Sequence, residues 1–193
     1  MTPAHAHVKK VWMTVLSETH LPRLPSKIRR VANRQKVSKF SENLRFYTRY
    51  AAFVSRALRK PRFQRFLRWI IGKEKIEENM VKDVQVRVFP FQKENGNGLA
   101  GRYKSRGEIL IYPKRFEFCQ ELVREYGKEK ALAYIKNRAQ AALIHEFLHV
   151  KYSSDEEKVR KLTKKYFDIF ADNAEDAHDI SKMLFKKVDS FQE

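Results

Sequence analysis

Between Ala139 and Leu148 the chain is apolar at almost every position: Ala139, Ala141, Ala142, Leu143, Ile144, Phe147 and Leu148. A helix apolar nearly all round is a buried helix. This one also carries His145, Glu146 and His149, and buried polar groups need partners. Histidines at i and i+4 stack on one helical face, about one turn apart. Their ring nitrogens can converge on one Zn²⁺, which favours imidazole ligands and tetrahedral geometry. Glu146, beside the first His, can reach the water that such an ion activates. It would take the proton as that water attacks a carbonyl and pass it to the leaving amine. The pattern is the HExxH of zinc metallopeptidases.

Charge divides the chain. Its 193 residues hold 41 Lys and Arg against 23 Asp and Glu, a net of +18. Residues 1–72 carry 17 basic residues and two acids, a net of +15. The rest is close to balanced at +3. The shift near Gly72 sets an expected boundary between a basic helical module, 1–72, and a second domain, 73–193. Such an excess points to a polyanion, DNA or RNA first and an anionic membrane surface second. The single cysteine, Cys119, excludes an internal disulfide framework and a cysteine-only metal site. It is expected to pack in a helix. No apolar run is long enough for a membrane span, and the first residues do not read as a signal peptide. The expected location is intracellular, cytoplasmic or nucleoid-associated.

Periodicity gives the elements. Leu44, Tyr47, Ala51, Val54 and Leu58 step by three and four from an N-cap at Ser41, and Pro61 closes that helix. A second helix buries Phe63, Phe66, Leu67, Ile70 and Ile71. The basic stretch Arg23 to Lys39 reads as a helix or a tail. The period then changes to two, with a half-buried strand at Val84, Val86 and Val88. A strand at Leu99–Lys104 and a more buried one at Glu108–Tyr112 follow. Helices are expected at 115–126, 128–152, from 155 onward, and at 174–191. The order predicts an α+β fold.

Gly101-Arg-Tyr-Lys104, Gly107-Glu-Ile-Leu-Ile-Tyr-Pro113 and Ala142-Leu-Ile-His-Glu-Phe-Leu-His-Val-Lys-Tyr152 together resemble the zincin core of SprT-like metalloproteases. The resemblance covers roughly residues 84–165. It implies a zincin-like core in which His145 and His149 ligate zinc, Glu146 is the catalytic base, and the edge strand at 99–104 pairs with an extended protein or peptide substrate. That family supplies a third His six residues after the second. Here the position holds Asp155, which can ligate through oxygen. Ser154 to Glu157 also reads as a capping box, in which Asp155 would serve the helix dipole. A rival ligand is Glu175, which with Asp179 has the ExxxD spacing of gluzincins, and His178 is a lesser one. His5, His7 and His20 are expected to be exposed. Tyr152 could donate to a transition-state oxyanion or simply pack.

On the basic module, Arg45, Arg49, Arg56, Lys60, Arg62, Arg65 and Arg68 are the expected nucleic-acid contacts. Guanidinium groups bind phosphate bidentately. The interleaved Phe46, Tyr47, Tyr50, Phe53, Phe63, Phe66 and Trp69 could stack on bases or form the core of a helical hairpin. No helix-turn-helix, zinc-finger or RNP signature is present. The expected function is a zinc metallopeptidase acting on nucleic-acid-associated proteins. The alternative is a zincin-fold protein with weak or no activity that binds DNA or RNA.

Overall fold

A computed structural model of the chain describes residues 28–32, 38–91 and 99–171. The expectations at His5, His7, His20, Glu175, His178, Asp179 and the helix at 174–191 lie outside the described residues. The described residues form an α+β fold of four helices and one mixed four-stranded sheet. In chain order the elements are β1 (Ile28–Val31), a 3-10 turn (Ser38–Asn43), α1 (Leu44–Leu58), α2 (Pro61–Lys73), a second 3-10 turn (Glu78–Met80), β2 (Asp83–Arg87), β3 (Gly101–Lys104), β4 (Glu108–Ile111), α3 (Phe116–Tyr152) and α4 (Glu156–Ala171). The strand order is β1-β2-β4-β3. β1 and β4 flank β2 in parallel, and β3 lies antiparallel on β4 at the edge.

Within the Arg23 to Lys39 stretch, expected as a helix or a tail, Ile28–Val31 is instead the strand β1, and residues 23–27 and 33–37 lie outside the described residues. Four residues, two of them arginines, give no periodic signal. They are held as a strand by pairing Ile28 through Val31 with Val84 through Arg87. That pairing puts β2 in the sheet interior, so Gln85 is buried as well as Val84 and Val86. The expected half-buried strand is buried on both faces.

Alternation still sorts the sheet. Val84, Val86, Val88, Ile109 and Ile111 join the common core with the helices. Arg87, Leu110, Arg102 and Lys104 line the other face. On α1 the stripe Tyr47, Ala51, Val54 and Leu58 is buried as expected, but Leu44 is 42% exposed at the helix start. The expected cap at Ser41 belongs instead to the 3-10 turn, and α1 begins after Asn43. Pro61 sits in the first turn of α2, where its missing N–H costs nothing.

One hydrophobic cluster runs through both sides of Gly72, joining Tyr47, Phe63, Phe66 and Trp69 to Val86, Leu143 and Tyr166. The aromatic residues of α1 and α2 are core or packed against it. Each fully buried Phe or Leu contributes about 1.5–3 kcal/mol. Their rings are therefore part of what holds the fold, not a platform offered to bases.

Candidate metal centre

α3 contains a break where the sequence places one. Gly127 has φ 82 and ψ 164, a conformation that suits glycine, and the chain re-enters a helix that runs to Tyr152. The second half of α3 is buried over Ala139–Ile144 and again at Glu146, Phe147 and Leu148. α3 ends at Ser153, a non-glycine residue at φ 44. The turn that follows sends α4 back along α3, and α4 brings Glu156 to the two histidines.

His145 Nε2 and His149 Nε2 lie 3.0 Å apart. Glu156 Oε2 is 3.1 Å from His149 Nε2, and Oε1 is 3.7 Å from His145 Nε2. The remaining ring nitrogens fix the tautomers. His149 Nδ1 is 2.7 Å from the carbonyl of Ser153. A carbonyl only accepts, so Nδ1 carries the hydrogen. His145 Nδ1 is 3.3 Å from Thr163 Oγ1, whose own hydrogen is donated to the carbonyl of Val159 at 2.7 Å. Thr163 therefore accepts from His145. Both Nε2 atoms are left with lone pairs facing each other and a carboxylate. Burial first, then the neighbouring His149, pushes His145 down to about 4, although Glu156 opposes this. A proton on His145 is thus disfavoured near neutrality.

Three lone-pair donors at this spacing repel unless a proton or a metal ion lies among them, and Glu156 Oε1 also accepts from Arg160 Nε at 2.8 Å. Two atoms each ~2.0–2.1 Å from one tetrahedral zinc lie roughly 3.3 Å apart. Separations of 3.0, 3.1 and 3.7 Å bracket that value. Two imidazoles and a carboxylate form a donor set that zinc accepts, with a fourth position left open. Nδ1 contacts of the kind made by Thr163 and Ser153 orient such ligands. His145, His149 and Glu156 are the candidate ligands.

Glu146 is not in this group. It is 7% exposed and lies against the edge strand, with Oε2 accepting from Tyr103 N–H at 2.7 Å. A Cβ on Gly101 would come within 2.7 Å of Glu146 Cγ and Oε1, so only glycine leaves room. Burial pushes Glu146 up to about 7, against the opposing effects of His149 and the Tyr103 N–H. A carboxylate at about 7 is poised to exchange protons at neutral pH.

Asp155 is placed elsewhere. Its Oδ1 accepts from Lys158 N–H at 3.1 Å, so it is the N-cap of α4. The cap is one residue later than the expected Ser154, and the convergent acid is Glu156, one residue beyond Asp155. Three successive acids, 155 to 157, gave spacing no way to choose among them. Tyr152 packs, donating to Glu74 Oε2 at 2.6 Å. Glu74 also accepts from Tyr166 and lies near Lys151, which ties α2, α3 and α4 together. Cys119 is buried, and burial raises its thiol to about 11, far from a nucleophile's range.

Among the basic candidates Arg45, Arg49, Arg56, Lys60 and Arg65 are exposed. Arg62 lies over the Phe170 ring at 5.2 Å and donates to its carbonyl at 3.3 Å. Arg68 is half-buried. Among the described residues no helix is long and apolar enough to cross a membrane. Compared with protein-family models, curated proteins and solved structures, the chain matches none.

Proposed function

We propose that this chain is a zinc-dependent metallopeptidase with a zincin-like core of the SprT-like type, acting inside the cell on proteins associated with nucleic acid. The observation that carries the reading is the convergence of three lone-pair donors, His145 Nε2, His149 Nε2 and the Glu156 carboxylate. When bound, zinc supplies Lewis acidity for a peptide carbonyl and for water.

The chain's own residues supply the rest. Glu146 takes a proton from the attacking water and delivers it to the leaving amine; a raised pKa suits it to both steps. Tyr103 N–H and the gap at Gly101 hold it in place. β3 is the sheet edge, and its outward backbone groups can pair with an extended peptide. The exposed Arg45, Arg49, Arg56, Lys60 and Arg65 support a polyanion, DNA or RNA, as the surface on which substrates are met.

The test is metal analysis of the purified chain with two variants. His145→Ala should lose most of the zinc. Glu146→Gln should keep zinc and fold while peptide hydrolysis falls by ~10²–10⁴. Unchanged zinc in the first variant, or unchanged hydrolysis in the second, refutes the reading.

A further inference from the structure

The two faces of β3 differ. On one face Gly101 meets Glu146. The other face borders a pocket of about 210 Å³ that contains Arg87, Arg102, Lys104, Leu110, Phe91 and Tyr112. Its charge is unevenly matched. Lys104 lies 3.8 Å from Glu108, and Asp83 on the neighbouring strand is held by Arg29 at 2.6 Å. Arg87 donates to Gln85 Oε1 at 3.3 Å. Among the described residues neither Arg87 nor Arg102 has a carboxylate within ion-pair distance.

The aromatic walls argue against a base as the occupant. Phe91 and Tyr112 tilt against each other at 5.2 Å and 37°, and the Arg102 guanidinium sits over Phe91 at 5.6 Å. That face of Phe91 is taken by the guanidinium, and a stacking base would have to displace it. A small anion in a pocket lined by both Arg87 and Arg102 fits better.

Backbone direction links this pocket to the edge. Tyr112 N–H donates to the carbonyl of Ala100, and Gly107 N–H donates to that of Lys104. Even-numbered residues of this strand thus bond inward to β4, and Gly101 and Tyr103 point their backbone groups outward, where the Tyr103 N–H is held by Glu146 and a paired peptide is left the Gly101 groups and the Tyr103 carbonyl. A peptide paired on that edge would lie about 4.8 Å away, with successive side chains on opposite faces. One side chain faces the side on which Glu146 lies. Its neighbour faces the cationic pocket.

We propose that this pocket is a specificity subsite that selects a substrate with a carboxylate side chain, Asp or Glu, next to the residue presented to the Glu146 side. The proposal rests on the peptidase reading above, and its test separates the two. Three peptides differing at one position, Glu, Gln or Lys, are offered to the full zinc-bound chain. The Glu peptide should exceed the Gln peptide in kcat/KM on the order of tenfold. Arg102→Glu, a change at an exposed position that should fold, should invert the order in favour of Lys. Equal cleavage of Glu and Gln peptides, or an unchanged order in Arg102→Glu, overturns the subsite.

Binding of the same peptides to the Glu146→Gln chain is followed by fluorescence anisotropy. If the wild-type chain cleaves nothing, the peptidase reading fails, and the binding order alone decides the pocket. Glu over Lys upholds it, and equal binding overturns it. A phosphoserine peptide bound more than tenfold tighter than the Glu peptide makes the ligand a phosphoryl group and overturns the carboxylate. A single-stranded oligonucleotide that displaces the Glu peptide from the Glu146→Gln chain, and loses its own affinity when Arg102→Glu is added, makes the pocket a nucleic-acid site and overturns it too.

Discussion

Gly101→Ala puts a methyl group where Glu146 already stands. The added Cβ would lie 2.7 Å from Glu146 Cγ, 2.7 Å from Oε1 and 3.1 Å from Cδ. Ordinary contact between such atoms begins at about 3.5 Å. The side chain must therefore retreat by roughly 0.8 Å, or the strand must lift. Cγ belongs to the stem of Glu146, so rotating the carboxylate does not relieve the clash. Retreat also stretches the 2.7 Å bond from Tyr103 N–H beyond a good hydrogen bond. Overpacking of this kind costs about 1–3 kcal/mol. For a chain of this size each kcal/mol lowers Tm by roughly 2–4 °C. A base displaced by about 1 Å loses on the order of 10² in rate. The assay is a double-mutant cycle in urea, Gly101→Ala with and without Glu146→Ala. Without the Glu146 stem most of the penalty should vanish, a clear departure from additivity. Zinc content should not change, because the atoms nearest the new methyl all belong to Glu146. Additive effects, or full hydrolysis by Gly101→Ala, would refute the reasoning.

Calorimetric zinc titration should show Glu156→Ala weakened roughly 100-fold or more, by loss of one ligand of three. Asp155→Ala should instead lose mainly its cap, about 1 kcal/mol of stability; the opposite ranking would reverse the ligand assignment. Thr163→Val leaves His145 Nδ1–H without its acceptor and should weaken zinc by roughly 10–100-fold. For Glu74, burial alone would raise the pKa, but the hydroxyls of Tyr152 and Tyr166, with Lys151 and Lys73, win and lower it. A lowered carboxylate stabilises the fold fully above its unfolded range, about 4.3, and that stability is lost as pH falls through the folded value. Urea midpoints measured against pH should therefore show a flatter acid limb in Glu74→Gln; an unchanged limb would remove Glu74 from the account. Replacing Arg45, Arg49 and Arg56 with Gln should reduce the slope of log affinity for nucleic acid against log salt by roughly two to three. An unchanged slope would move the polyanion contact elsewhere.

What sequence made legible follows from which forces are local. The stripes of α1 and α2, and the break of α3 at Gly127, are written in spacing and in one glycine, so they could be read directly. That His145 and His149 share one face follows from helical geometry alone. β1 was hidden because Ile28–Val31 is a strand only by virtue of β2, more than 50 residues away. Glu156 was hidden for a related reason. The turn at Ser153 decides which acid swings back to the histidines, and its φ of 44 is carried by no glycine that would announce it. Asp155 satisfied both a spacing argument and a capping argument, and the cap is the contact it makes. Leu44 is exposed because its helix starts there, before the buried stripe reaches the core.

The start of α3 is not free of α1. Phe116 N–H donates to the Tyr47 hydroxyl at 3.1 Å, and Lys114 N–H to the Tyr50 hydroxyl at 3.3 Å. The helix that displays Arg45, Arg49 and Arg56 is thereby fastened to the start of α3, and the common core joins it to the half that carries the histidines. A binding surface joined by a flexible tether acts as a leash: it raises local concentration and lets the site roam. A surface bolted to the helix that carries the histidines acts as a ruler. If a polyanion seats on those arginines, cleavage should fall at a set offset from where the chain docks. A target anchored closer or farther would then escape, however strongly it is held nearby.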